Sequence, residues 1–116
     1  VGEIATLSYE IQKKGIPVKT LEPYLSAPLH ASVVSDDLST FLHVHGEVHE
    51  AGRPSPKLTI RNGTLIHSGA HAPTPLQFGP GIEAHLVFPK AGFYTVWAQF
   101  KDGGEVWAVA HTVQVE

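Results

Sequence analysis

Apolar and polar residues alternate along most of the chain with a period of two, the signature of strands with one face buried. In the first such stretch Ala5, Leu7, Tyr9 and Ile11 share one face, and Thr6, Ser8 and Glu10 share the other. A turn over 13–17 follows. Residues 21–25 carry Pro23 in their middle, which predicts an irregular crossing in place of a central strand. A second strand, 29–34, sets Leu29, Ala31 and Val33 against His30 and Ser32, and residues 36–40 close it. The third, 41–49, alternates Leu42, Val44 and Val48 with His43, His45, Glu47 and His49, so its polar face is a row of imidazoles and a carboxylate.

Asn62-Gly63 stands between two apolar runs and predicts a hairpin with Ile60 opposite Leu65. Residues 68–81 are rich in Gly, Ala, Pro, His and Thr and predict a long loop, mobile unless a metal or partner ties it down. Strands resume at 82–88, with Ile82, Ala84, Leu86 and Phe88 inward and His85 outward, and at 93–100, with Tyr94, Val96, Ala98 and Phe100 inward. Asp102-Gly103-Gly104 then predicts a hairpin into the last strand, 105–115. No convincing helix and no internal repeat is visible. About seven to eight short strands suit an all-β, immunoglobulin-like antiparallel β-sandwich. Tyr94, just after the turn at Gly92, matches the tyrosine corner of such folds.

Composition sharpens this picture. A chain of 116 residues, 42% apolar and 16% charged, supports one folded domain over 1–116. A net charge of −3 with no basic run beyond Lys13-Lys14 argues against nucleic acid as a partner. No apolar run approaches the roughly 20 residues of a membrane helix, so membrane insertion by this domain is not expected. Val1 in place of an initiator Met is expected of a processed or trimmed chain, and a removed signal peptide or lipid anchor fits it.

Cys and Met are both absent, which leaves only nitrogen and oxygen ligands, while His occurs eight times, as often as Lys and Arg together. His43 and His45 are the leading pair, because residues i and i+2 of a strand point the same way and bring two imidazoles to one ion. His30 is the expected third ligand if the segments 29–34 and 41–49 lie close through the turn at 36–40. Glu47, His49 or His85 would then serve as a fourth ligand or an orienting partner. Neutral imidazoles suit copper(II), zinc or nickel, and the Irving–Williams order favours copper at equal geometry. A topological obstacle stands against convergence: if the two segments are strands B and C of an immunoglobulin-like fold, they belong to opposite sheets. Simple decoration of a solvated face is the alternative for the whole row. His67 and His71 read as members of a polar loop, His85 as structural, and His111, on the parity of Val109 and Val113, as a hydrogen-bonded histidine at the edge of the core. Trp97 and Trp107, on the polar faces of adjacent strands, are expected to pack under a loop, with an exposed aromatic patch toward a protein partner as the alternative.

Three runs, at 21–30, 37–45 and 88–100, resemble bacterial extracytoplasmic immunoglobulin-like domains of the YtkA-like and copper-resistance accessory kind. The resemblance covers most of the chain apart from 50–78. It implies a periplasmic or secreted, non-catalytic, histidine-rich metal-binding module. Gly46 and Leu29 stand where those domains commonly carry Pro and Met, and the N-terminal His of the copper-resistance sandwich proteins is missing. A metal-free structural or protein-interaction domain is the second reading. The third is a small metalloenzyme: His43-x-His45 followed by Glu50 reproduces part of the cupin motif, with His85 as a later ligand, although the glycines expected on its flanks are Asp37 and Lys57. No Gly-x-Ser-x-Gly elbow points to a serine hydrolase.

Overall fold

The period-two alternation becomes an all-β architecture in the computed structural model, which describes residues 2–49, 57–61, 64–68 and 75–116. Among the described residues eleven strands follow one another: β1 (Ile4–Glu10), β2 (Gln12–Lys13), β3 (Ile16–Pro17), β4 (Leu21–Glu22), β5 (Leu29–Ser35), β6 (Phe41–Val48), β7 (Lys57–Arg61), β8 (Thr64–Ser68), β9 (Gly81–Val87), β10 (Gly92–Asp102) and β11 (Glu105–Val115). Among the described residues there is no helix, and so none long and apolar enough to cross a membrane. The main sheet runs β1-β9-β6-β5-β10-β11, with β4 also pairing to β10. All its pairs are antiparallel. Two short ribbons, β2-β3 and β7-β8, stand apart from it.

One hydrogen-bonded sheet makes a sandwich because β6 changes partner along its length. Phe41–Gly46 pairs with β5, and Gly46–Val48 pairs with β9. Gly46 is the corner, opposite Leu29 on one side and Ala84 on the other. A Cβ there would lie 2.7 Å from Ile82 Cγ2 and 2.9 Å from Leu29 Cβ, so only glycine allows both walls to close at this point. The inner faces of the two halves share one core, centred on Leu29, Val33, Ile82, Tyr94 and Val96, each fully buried. Burial of each such side chain stabilises the fold by roughly 1.5–3 kcal/mol relative to leaving it in water.

The two histidine-bearing segments are therefore hairpin neighbours and do not sit in opposite sheets as strands B and C would. The reason is the connection: Ser35 N donates to Thr40 O (3.0 Å), and Asp37 Oδ1 accepts from Ser35 Oγ, Ser39 N and Ser39 Oγ. A turn this short joins only adjacent antiparallel strands. Lys90 Nζ donates to Asp37 Oδ2 (2.5 Å), and these bonds hold the Asp37 carboxyl well below the usual carboxylate range. The same Lys90 offers its carbonyl to the hydroxyl of buried Tyr94 (2.8 Å), the expected tyrosine corner. If Tyr94 marks strand F, then β5 and β6 take the places of C and D.

Three further expectations are settled here. In the β7-β8 ribbon Ile60 does face Leu65, although the turn residues 62 and 63 lie outside the described residues. The expected long loop at 68–81 begins and ends in strand, and its residues 69–74 are likewise outside. Its far end is tied down by the chain itself: Phe78 is buried and exchanges two main-chain hydrogen bonds with Leu21 (2.9 and 3.0 Å). Trp97 and Trp107 are both about half exposed but do not form one patch. Trp107 lies opposite buried Phe100 and shares its face, whereas Trp97, three residues from Phe100 along β10, points to the other side.

Candidate metal site

The hairpin register brings the sequence-predicted ligands together. His30 lies directly opposite His45, and His43 lies opposite Ser32, so all three imidazoles rise from the outer face of the β5-β6 pair. Residues paired this way have Cβ atoms roughly 4.5–5.5 Å apart, and diagonal neighbours about 7–8 Å, within reach of an imidazole. The ring centroids are 4.5 Å apart for His30 and His45, 5.2 Å for His43 and His45, and 5.6 Å for His30 and His43. One nitrogen from each ring lies within 4.8 Å of the others, and among the described residues no other such cluster of ligating side chains occurs. Ligands at the zinc–nitrogen distance on a tetrahedron are about 3.3 Å apart. His30 Nδ1 and His43 Nε2, at 3.4 Å, already have that separation.

His30 is the floor of the site, 7% exposed, while His43 and His45 are open to solvent. Its orientation is fixed from the far side: Nε2 lies 2.7 Å from the carbonyl oxygen of Tyr24. A carbonyl only accepts, so Nε2 carries the proton and Nδ1 keeps the lone pair that faces the other two rings. This is how a ligating histidine is normally oriented, with its second nitrogen donating to a backbone carbonyl. The Tyr24 ring also packs edge-on against His30 at 5.4 Å.

The element that supplies the carbonyl is a tight turn that the sequence did not announce. Tyr24 and Ala27 exchange main-chain hydrogen bonds of 2.8 and 3.1 Å, and the residues between them, Leu25 and Ser26, have φ of 49° and 68°. Two consecutive positive φ values normally call for Asn-Gly or Gly-Gly. With leucine and serine there, only the prolines at 23 and 28 hint that the chain turns.

Electrostatics favour the neutral, metal-ready form. Burial first, and then the neighbouring His30 and His43, pull the pKa of His45 below its ordinary 6.5. A basic ring flanked by two others resists taking a proton and leaves its lone pair available. With three protein nitrogens, an exposed mouth and, among the described residues, no fourth protein ligand in the cluster, the arrangement matches an open zinc site, or a copper(II) site completed by water.

The other expected contributors go elsewhere. His49 pairs with Glu83, and His85 is hydrogen-bonded to Thr6 Oγ1 (3.1 Å) across the β1-β9 ladder. Glu47 lies past the Gly46 corner, opposite Glu83, and is not part of the cluster. His111 is hydrogen-bonded to Tyr9 Oη at 2.8 Å, as its place at the edge of the core predicts. Burial pushes the Tyr9 phenol up to about 12, so it stays protonated beside the imidazole. The cupin-like arrangement needs His85 in one cavity with His43 and His45, but those two rise from an outer face and His85 is held on β9. Glu50 and His71 lie outside the described residues, as does the His67 side chain.

Neither the curated proteins nor the solved structures include a match to this chain. A family model does match, over residues 1–116, and its description, a domain of unknown function, carries no activity with it. The chain belongs to that family, DUF8832.

Proposed function

We propose that the chain is a non-catalytic binding module that holds one transition-metal ion, copper(II) or zinc, on His30, His43 and His45. The observation that carries this reading is the 2.7 Å contact of His30 Nε2 with the Tyr24 carbonyl, which assigns the tautomer of His30. Its Nε2 proton is committed to the Tyr24 carbonyl, so Nδ1 is left facing His43 and His45 as a third nitrogen donor. The absence of any sulfur ligand directs the site toward imidazole-loving divalent ions and away from copper(I). The resemblance of the three runs at 21–30, 37–45 and 88–100 supports an extracytoplasmic, bacterial setting.

Calorimetric titration with zinc and with copper(II) at neutral pH tests the proposal. Wild type should bind one ion, and His43→Ala with His45→Ala should abolish binding, while His67→Ala with His71→Ala should leave it unchanged. Retention in the first double variant, or wild-type binding only at millimolar metal, refutes the site.

A second reading, a metal-free structural or interaction domain, is favoured by one observation: both nitrogens of His30 already have protein partners. In that case the cluster pins the Tyr24 turn to the sheet. His43→Ala would then lower thermal stability without any effect of added metal on wild type.

A further inference from the structure

We infer that the free edge of β11 is a self-association surface, which pairs antiparallel with β11 of a second copy of this chain. This goes beyond the metal reading and rests on different residues. The main sheet ends at β11, which bonds on one side to β10 and, among the described residues, makes no main-chain bond on the other. At 11 residues it is one of the two longest strands described, and Val106–Val115 contains no Lys, Arg, Asp, Glu or Pro. Short length, charges, prolines and bulges are the usual devices that keep sheet edges from pairing. From Val106 onward β11 has none of them.

Over its first half, 105–110, its side chains are uncovered on both faces, while Val113 and Val115 farther along pack against the core. Val106 is 48% exposed on one face, and Trp107 and Val109 are 46% and 45% exposed on the other. The opposite edge of the sheet is different: β1 is seven residues long, shows Thr6, Ser8 and Glu10 to solvent, and leads into Lys13-Lys14. Only one of the two edges is therefore built to be covered.

A second copy is the occupant that the pattern fits. An antiparallel pair of identical strands is related by a two-fold axis, so one strand supplies both surfaces. With the axis through Ala110, like faces stay together, and Trp107 lies opposite Val113 of the second copy, an aromatic and β-branched pair of the favourable kind. Glu105 then faces Val115, so no two like charges are opposed. A single strand edge covers fewer than the roughly 20–30 residues per side of a standard interface. Its ladder of about ten hydrogen bonds equals that of a whole standard interface, and main-chain bonds supply affinity in strand addition. The expected association is reversible and micromolar.

Sedimentation velocity in a chelating buffer, from about 1 μM to about 1 mM chain, tests this without any contribution from the histidine cluster. Wild type should pass from monomer to dimer across that range. Val109→Lys should stay monomeric with an unchanged circular dichroism spectrum, and Ala108→Lys, on the opposite face, should do the same. Hydrogen exchange of wild type should show β11 amides becoming more protected as concentration rises, with β1 amides unaffected, and this decides the matter should neither variant fold. A monomer at about 1 mM, a dimer that survives both substitutions, open-ended oligomers, or protection of β11 independent of concentration would each overturn the inference.

Discussion

Gly46→Ala is the substitution for which the structure fixes the sign as well as the size. Gly46 is not among the residues with positive φ, so alanine meets no backbone strain there. In an open strand position the change would stabilise by about 0.4–1 kcal/mol, because the unfolded chain loses freedom. Here the new methyl meets Ile82 Cγ2 at 2.7 Å and Leu29 Cβ at 2.9 Å, against an ordinary carbon–carbon separation of about 3.5–4.0 Å. Neither neighbour can yield cheaply. Ile82 is β-branched and fully buried, with a stiff first torsion, and Leu29 Cβ moves only with its backbone. Overpacking of this kind costs about 1–3 kcal/mol, and two contacts under 3.0 Å on stiff neighbours place it at about 2–3, so the net is a loss of about 1–2 kcal/mol.

Urea unfolding followed by tryptophan fluorescence should then show the midpoint of Gly46→Ala lowered by roughly 0.5–1 M at unchanged slope. The two halves of the sandwich must part slightly at the switch, and His45 is the preceding residue, so metal affinity should fall as well. A variant as stable as wild type, or more stable, would refute the idea that the sheet turns its corner on a glycine. Unchanged affinity with lowered stability would show instead that the cluster tolerates movement of β6.

Tyr94→Phe removes the only hydroxyl bond to the Lys90 carbonyl described here and should cost about 1 kcal/mol by the same unfolding assay, with an unchanged fold by circular dichroism. Leu25→Asn with Ser26→Gly installs the residues that two consecutive positive φ values prefer; thermal melting should show a gain of about 1 kcal/mol, while zinc titration should show His30 still in place. The lowered pKa of His45 means that the unfolded chain takes up a proton there before the folded chain does. The contribution of His45 to the stability of the metal-free protein is therefore complete above about 6.5 and declines as pH falls below it, and His45→Ala should flatten that part of a stability-against-pH curve. Metal affinity should decline over the same range, since protons and metal compete for the same lone pairs.

Much of the fold was legible because its strands obey a simple rule. β1, β9 and β10 alternate so cleanly that the inward residues named from sequence, among them Leu7, Ile82, Tyr94 and Val96, are those that line or pack against the core. Tyr94 could be assigned a hydrogen bond before any contact was known, because a tyrosine just after a turn has a stereotyped role. β11 was harder. Val109, Val113 and Val115 share one parity, yet among the described residues no strand covers its first half, and alternation alone does not say whether a partner layer exists.

The candidate site divides along the same line. His43 and His45 were legible because two residues apart on a strand is a local relation. His30 was legible only conditionally, since its approach depends on the pairing of β5 with β6, and assigning those segments to opposite sheets pointed the wrong way. What decided the matter was the short turn at 36–40, whose Asp37 bonds enforce a hairpin and so set His30 across from His45. The Tyr24 carbonyl was beyond reach altogether. A backbone acceptor has no residue type to read, and the turn that aims it holds Leu25 and Ser26 at positive φ without a glycine to mark them. The residues that could hold a metal are thus written as side chains, while the group that decides which nitrogen His30 presents is written only in the path of the backbone.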